Sequence, residues 1–389
     1  VKKRILISGG GIAGLTATKL LQSQGHELIL VDKAKEFTTE GFLLSLKSFG
    51  VKIMEELGLA QDLLAASIPS QWMNFVDGKG SLIRKISYQK LNENLNPSVL
   101  ITRGMIHHVL YQAIKDKVSV EFNTSIARVQ QDGQKVSVTL SDNRVIQADL
   151  LIVAEGLRST TREKYFKNSH LEDFNIFYMG GRLKDNHPYT VGTFKTYIDV
   201  NKMLSIYPLT NEELAIQCYI NNTDEGAQIQ DQAQSILKET FKEYNSEVKH
   251  LMDRFLESGK VFADKMGIVH VPNLVNERIV LVGDAGYCPT ALSGMGASLS
   301  IYGASALAHY IAQVPDNIPL ALQNYNGLMQ PIIEKFQSNA RNNAESFLPK
   351  SETTLEMFKS AFSTAPESVL HQKLTDQLVL TDDQLHYIL

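Results

Sequence analysis

The segment that most constrains this chain is Gly9-x-Gly11-x-x-Gly14. It follows a short apolar run, Arg4 to Ser8, that reads as a buried strand. It opens a stretch in which Leu15, Leu20 and Leu21 recur at helical spacing until Gly25. Glu27 to Val31 reads as a second strand, so the chain begins with a βαβ unit and calls for a parallel sheet. Gly9 permits the tight turn, Gly11 lets the backbone approach a pyrophosphate, and Gly14 lets the helix lie close to the strand. The helix N-terminus then offers unpaired N–H groups and a positive dipole end to phosphates. Asp32 stands at the end of the second strand, where an acid meets a ribose diol.

The remainder of the chain alternates in character. Helical spacing returns at residues 49–57 and 105–115, and residues 72–76 and 82–86 read as strands around the turn Asp77-Gly78-Lys79-Gly80. Residues 118–122, 126–130, 135–140, 144–146 and 150–153 form a β-rich run with turn signals at Asp132-Gly133 and Asp142-Asn143. Aromatic-rich strands at 175–182, 190–197, 203–207 and 214–220 read as antiparallel. Helices are expected at 230–243 and 247–257, a strand at 278–282, a long helix at 297–312, and helical pattern from 320 onward. This order predicts an α/β (α+β mixed) fold: a Rossmann-like domain interrupted by a mainly antiparallel β-sheet domain, plus C-terminal helices.

Composition removes several functions. Lys plus Arg, 38, against Asp plus Glu, 42, leaves a net charge of −4, which disfavours nucleic-acid binding. Cys218 and Cys288 lie far apart in the chain and form no CxxC pattern, which excludes a cysteine-built zinc site or dithiol centre and argues against a disulfide framework. The apolar run after Val1-Lys2-Lys3-Arg4 extends only from Ile5 to Ser8, too short for a secretory leader or a membrane span. A soluble cytoplasmic protein without a metal site is expected.

The glycine motif alone does not choose between dinucleotides. A second segment does: a strand delivers Gly283-Asp284, and Pro289 and the Gly294/Gly296 pair then lead into another helix whose N-terminus can face an anion. Asp284 can accept hydrogen bonds from sugar hydroxyls. A ligand touched by two segments so far apart in the chain is long, and FAD is that long.

A third motif lies between them: Ala148-Asp149, an apolar strand, then Ala154-Glu155-Gly156, Arg158-Ser159 and Arg162. With these three motifs in this order, the chain resembles the single-component FAD-dependent aromatic hydroxylases over most of residues 3–330. That family includes para-hydroxybenzoate hydroxylase, and the wording at 287–296 is most similar to the tetracycline-inactivating monooxygenases.

The resemblance implies an FAD-binding domain at 1–72, 98–172 and 260–318, a substrate-binding domain at 73–97 and 173–259, and a helical extension at 319–389. Gly9, Gly11, Ile12, Ala13, Gly14, Asp32 and Lys33 would hold the ADP half of FAD. Arg103, at the start of a helix, and Lys47 would also meet the cofactor, and Asp284 would bind its ribityl or pyrophosphate region. Gly294, Met295, Gly296 and Ala297 would turn backbone N–H groups to the flavin's pyrimidine edge. Tyr178, Arg182, Tyr207 and Gln217, with Pro289, are candidates for the substrate pocket, although core or solvent-facing positions account for them equally well. The C-terminal helices either brace the two domains or simply pack.

The resemblance further implies hydroxylation of a small aromatic or polycyclic molecule with NAD(P)H and O2 through a flavin C4a-hydroperoxide, with tetracycline-type antibiotics among the candidate substrates, by a monomer that uses no side-chain acid or base of its own. Two rivals stay open: a related flavin oxidase, and a catalytically weakened flavoprotein that sequesters a small molecule. The departures from the family pattern are Glu155 for Asp, Gly286-Tyr287 for Ala-His or Ala-Tyr, Met295 for Gln, and Ser45 and Lys47 for Asp and Arg in the tetracycline enzymes. On that pattern, Glu155→Asp is expected to retain or improve flavin reduction. His107-His108 reads as structural, and Cys288 as a small packed residue.

Overall fold

The computed structural model describes residues 2–39, 41–91, 93, 97–222, 229–258, 261–375 and 378–385. Its first core is built on a six-stranded sheet in the order Val275–Asn276, Ile279–Leu281, Leu150–Val153, Arg4–Ser8, Glu27–Val31, Val120–Glu121. All neighbours run parallel except the Val275–Asn276 edge. Ile5, Leu6, Ile7 and the whole of Leu150–Val153 are fully buried, as expected of strands covered on both faces. The helices Ile12–Ser23 and Gly296–Gln313 pack together in this core, and an antiparallel sheet of Ile126–Gln131, Val136–Leu140 and Val145–Ala148 adds Val129, Val136, Val138 and Leu140 to it.

The second unit is a seven-stranded sheet in the order Phe262–His270, His170–Lys184, Glu213–Asn221, Lys202–Thr210, Thr193–Asp199, Trp72–Asp77, Leu82–Ser87. It is antiparallel except between Thr193–Asp199 and Trp72–Asp77, where a strand inserted early in the chain joins in parallel. Alternation sorts its residues cleanly. Phe177, Met179, Leu183, Leu214, Ile216 and Cys218 pack against the helices Ile229–Phe241 and Ser246–Glu257. Tyr178, Arg182, Tyr207, Gln217 and Tyr219 have the opposite parity and share the other face.

Four strands escaped the sequence reading, one of them the two-residue edge strand Val275–Asn276. Leu43–Lys47 and Ser98–Thr102 pair with each other as a two-stranded sheet, and Leu43 and Leu100 share a small core with Phe194 and Ala215 of the seven-stranded sheet. Phe262–His270 is hydrogen-bonded into the seven-stranded sheet, although it falls within the segment 260–318 expected in the first domain. The expected boundary at 259/260 lies outside the described residues. The boundary at 318/319 falls at the first turn of one continuous helix, Ile318–Phe347.

That helix and the segments C-terminal to it touch both units. Met329, Ile332 and Phe336 lie in the first core, whereas Ala344 and Leu348 pack with Ile176, Tyr219 and Met266 of the second sheet. The helices Glu352–Thr364 and Glu367–Thr375 place Leu355, Phe362 and Leu370 on Phe75, Ile86 and Ile198. Arg84 donates to the carbonyls of Phe362, Ser363 and Ala365, neutralising the end of the Glu352–Thr364 helix. The segment 378–385 then returns to the first core, where Lys335 donates to the Val379 carbonyl and Tyr302 to that of Gln384. Among the described residues no helix is long and apolar enough to cross a membrane.

Candidate active site

The glycine turn is shaped by backbone contact. A Cβ on Gly14 would lie 1.8 Å from the Gly9 carbonyl oxygen, and one on Gly9 would lie 2.2 Å from that of Ala154. A Cβ on Gly11 would meet nothing within 4 Å, so its side of the turn is open to a ligand. The helix starts at Ile12 with Gly11 as its N-cap and no side-chain cap, which leaves its first N–H groups facing that opening. Ile12 and Ala13 bury their side chains in the core and offer only backbone. A cavity of about 170 Å³ lies here, lined by Gly11, Ile12, Thr38, Arg103 and His107. Lys33 is exposed.

Asp32, expected to accept from a diol, is also engaged within the chain. One carboxylate oxygen accepts from the Gly10 N–H at 2.6 Å and the other from the Ala34 N–H at 2.7 Å. The acid first holds the turn in shape, and a ribose would share oxygens already engaged.

Glu155 is likewise occupied. Its oxygens accept from the hydroxyls of Ser8, Ser159 and Thr161, at 2.7–2.8 Å, and from the Thr161 N–H at 3.1 Å. The extra methylene is what this carboxylate uses to span from the end of the first strand to the start of the helix Thr160–Tyr165. Arg162, only 2% exposed, donates to the carbonyls of Leu157 and Ala285 and so ties this motif to the Gly283-Asp284 segment. Arg158 forms an ion pair with Asp264 on the second sheet.

Burial pushes the Asp284 carboxyl up, while the charge of Arg103 draws it back. The same guanidinium favours ionisation of Tyr178 and Cys288, which places Arg103 centrally between the two units. Burial nevertheless holds the Cys288 thiol well above its usual range, so it stays a thiol and packs as expected. Two of the departures turn out to be packing. A Cβ on Gly286 would lie 2.9 Å from both Leu274 and Leu281, and Tyr287 is 1% exposed with its hydroxyl 3.5 Å from that of Tyr325.

The loop before the second helix corrects another expectation. Met295 is fully buried; its N–H donates to the Ser293 hydroxyl, and the Gly294 N–H to the Ala291 carbonyl. The donors left for a ligand are those of the first turn, Gly296, Ala297 and Ser298, in a helix without a side-chain cap. Upstream, Pro289 is buried, and Thr290 has φ 64°, a conformation that costs a β-branched residue about 1–3 kcal/mol and that the loop imposes. Lys47 donates its N–H to the Ser298 hydroxyl, and its ammonium sits 5.5 Å over the Tyr88 ring. Burial lowers that ammonium to about 8. Ser45 and Tyr88 share a 2.6 Å hydrogen bond beside it.

Of the four candidates on the substrate face, Tyr178 and Gln217 form one unit. The Gln217 amide donates to the Tyr178 oxygen at 3.2 Å and to the Leu43 carbonyl at 3.0 Å. Phe42 and Tyr219 lie 4.5 and 5.0 Å from the Tyr178 ring, and Phe262, 47% exposed, closes the group at its rim. Burial raises the Tyr178, Tyr207 and Tyr219 phenols, so all stay protonated and none is a base. Tyr207 instead packs on Phe194 in a small core with Leu43 and Leu100, and Arg182 is ion-paired with Glu213 at 2.8 Å. The Thr290–Gly294 loop reaches the aromatic group through Leu292.

Four site residues were missed. Tyr219 shares strand parity with Gln217, and His107 lies one helical turn after Arg103, so both had a periodic signal. Phe42 and Phe262 come from distant segments and had none.

A profile of the FAD binding domain family matches residues 2–335. A flavin-dependent monooxygenase of Legionella longbeachae is 28% identical over 364 residues, covering 91% of this chain and 92% of its own length. The FAD-dependent monooxygenase asL4 of Sarocladium schorii is 25% identical, covering 90% and 89%. Among solved structures, tetracycline destructase Tet(55) superposes with a TM-score of 0.82 at 24% identity, covering 98% of this chain and 99% of its own. Klebsiella pneumoniae HpxO, complexed with FAD and uric acid, superposes with a TM-score of 0.86 at 20% identity, covering 96% of each. The open glycine turn, the two uncapped helix N-termini and the buried acid between them suit a long dinucleotide, and the chain belongs to the FAD binding domain family of flavin-dependent monooxygenases.

Proposed function

We propose that the enzyme is a cytoplasmic monomer that uses NAD(P)H and O2 to insert one oxygen atom into a planar aromatic or polyketide-like molecule. The observation that carries this is the aromatic group of Phe42, Tyr178, Tyr219 and Phe262, pinned by Gln217, on the sheet face that looks toward the cofactor-binding unit. FAD, when bound, supplies activated oxygen at the expense of the nicotinamide. The chain's own residues orient and exclude. Aromatic faces receive a flat, partly apolar substrate, and Leu292 and Leu348 keep water from its edge. The Gln217 amide donates to the Tyr178 oxygen, so the Tyr178 proton is turned away from Gln217, toward the hydrogen-bonded Tyr219 hydroxyl. The first-turn N–H groups of the Gly296–Gln313 helix and the Arg103 guanidinium supply positive potential where reduced cofactor is anionic.

The test is to supply NADPH, labelled O2 and a panel of phenols and tetracyclines, and to follow product masses. Tetracyclines belong in the panel because of the likeness to tetracycline destructase Tet(55). Gain of one labelled oxygen establishes the reaction and its substrate class. NADPH consumption that yields only peroxide across a broad panel favours an oxidase. The weakened-binder reading rested on Glu155, Gly286 and Met295; the bonds and packing described above give each of them a structural role, and no observation favours it.

A further inference from the structure

His107 has no part in that chemistry, yet its surroundings are unusual. Its Nε2 lies 2.5 Å from the Gly10 carbonyl oxygen, in the glycine turn, and its Nδ1 lies 3.3 Å from the Thr38 carbonyl oxygen. Both partners are acceptors only. A neutral imidazole carries one N–H and one bare lone pair, so it can satisfy one carbonyl and must present the lone pair to the other. Only the doubly protonated ring donates to both. The segment Lys33–Thr39 that carries Thr38 is built onto the same helix. Phe37 stacks 4.5 Å from the His107 ring and 4.5 Å from that of Tyr111. A Cβ at position 104 would lie 1.5 Å from the Thr39 carbonyl oxygen, so the segment rests on the helix backbone itself.

We propose that His107 is a proton-linked clasp for the cofactor: its second proton ties the segment Lys33–Thr39 to the glycine turn at the cavity that both line, and FAD binding draws that proton in. The inference rests on the reading of this crevice as the FAD site. Burial holds His107 below the ordinary histidine value before FAD binds. Arg103 on its own helix acts in the same direction and Asp32 opposes. Lys33, Lys35 and Glu36 on the segment are exposed, His108 lies across the Phe37 ring, and Glu121 on the adjacent strand is paired with Arg144. The Gly10 and Thr38 carbonyls and Asp32 raise it without overcoming its burial, whereas a dianionic pyrophosphate in the cavity that His107 lines would add the missing negative charge.

The sign follows from linkage. A base whose pKa rises on binding contributes affinity that is fully present below its free-state value and is lost as pH climbs through its bound-state value. FAD affinity of the apoprotein, read by flavin fluorescence, is therefore expected to strengthen about tenfold from about pH 8.5 down to about pH 5.5. Calorimetry in buffers of different ionisation enthalpy should show net proton uptake on binding near neutral pH. His107→Gln keeps a donating nitrogen but cannot take up a proton; it should bind more weakly, and below about pH 7, under the range in which the Lys47 ammonium titrates, its profile should be flat with no uptake. A His107→Gln slope equal to that of the wild type, or wild-type binding without proton uptake, overturns the clasp, and the calorimetric arm needs no variant. Failure of the chain to bind FAD at any pH overturns the crevice reading itself.

Discussion

The two walls of the crevice are built on opposite plans. The wall proposed for the cofactor is mostly backbone: a glycine turn whose Gly14 has no room for a methyl group, a carboxylate at Asp32 engaged by two N–H groups, and helix ends left uncapped. The wall proposed for the substrate is a set of single side chains, Phe42, Tyr178, Gln217, Tyr219 and Phe262, gathered from four separate segments. One wall is determined by where the chain cannot be wider, the other by which side chain happens to project. The first tolerates almost no change, whereas the second can be re-lined one residue at a time without disturbing the cofactor.

Substitutions can break this contrast. The largest effect is expected for Gly14→Ala, where the new methyl group meets the Gly9 carbonyl and nothing flexible can move aside. Stability should fall by about 3 kcal/mol and the protein should purify without flavin; a yellow, stable variant would mean that the turn is soft. Asp284→Ala comes next. Its fold should hold, since the acid's burial is itself costly, but the preparation should be largely colourless. Glu155→Asp follows, and here the structure reverses the expectation drawn from the family pattern. The shorter acid cannot reach both Ser8 and Thr161, so denaturation should reveal a loss of about 1–2 kcal/mol and flavin affinity should drop severalfold. The smallest effect on cofactor and fold belongs to Tyr178→Phe. Flavin content should be unchanged and stability altered by less than about 1 kcal/mol, while KM for the substrate rises more than kcat falls. A colourless Tyr178→Phe would erase the distinction between the walls.

What could be read from the sequence follows the same division. The glycine turn, Arg103 and the Gly283-Asp284 segment announce themselves because backbone demands fall at fixed spacings within one stretch. Tyr178, Arg182, Tyr207 and Gln217 could be assigned to the middle strands, but their common face needs the register between strands, and only Tyr178 and Gln217 act as a unit there. The pair Leu43–Lys47 and Ser98–Thr102 was not legible, because each strand's only partner is remote in the chain and neither alternates. Nor does a sequence say which way a side chain turns from a known loop. Tyr287 and Met295 sit inside the motif that meets the cofactor, yet both point into the core.

The order of the six-stranded sheet also dictates when this enzyme can first hold its cofactor during synthesis. Arg4–Ser8 is made well before its neighbour Leu150–Val153 and the next strand, Ile279–Leu281, and the second helix with an uncapped N-terminus begins only at Gly296. Pairings so remote along the chain are slow to form. On the proposed site, FAD finds no complete binding surface until the Gly296–Gln313 helix has left the ribosome, and before then it cannot stabilise a nascent species by mass action. The cofactor therefore rewards only the finished fold, and the long wait of an apolar first strand falls to chaperones rather than to flavin.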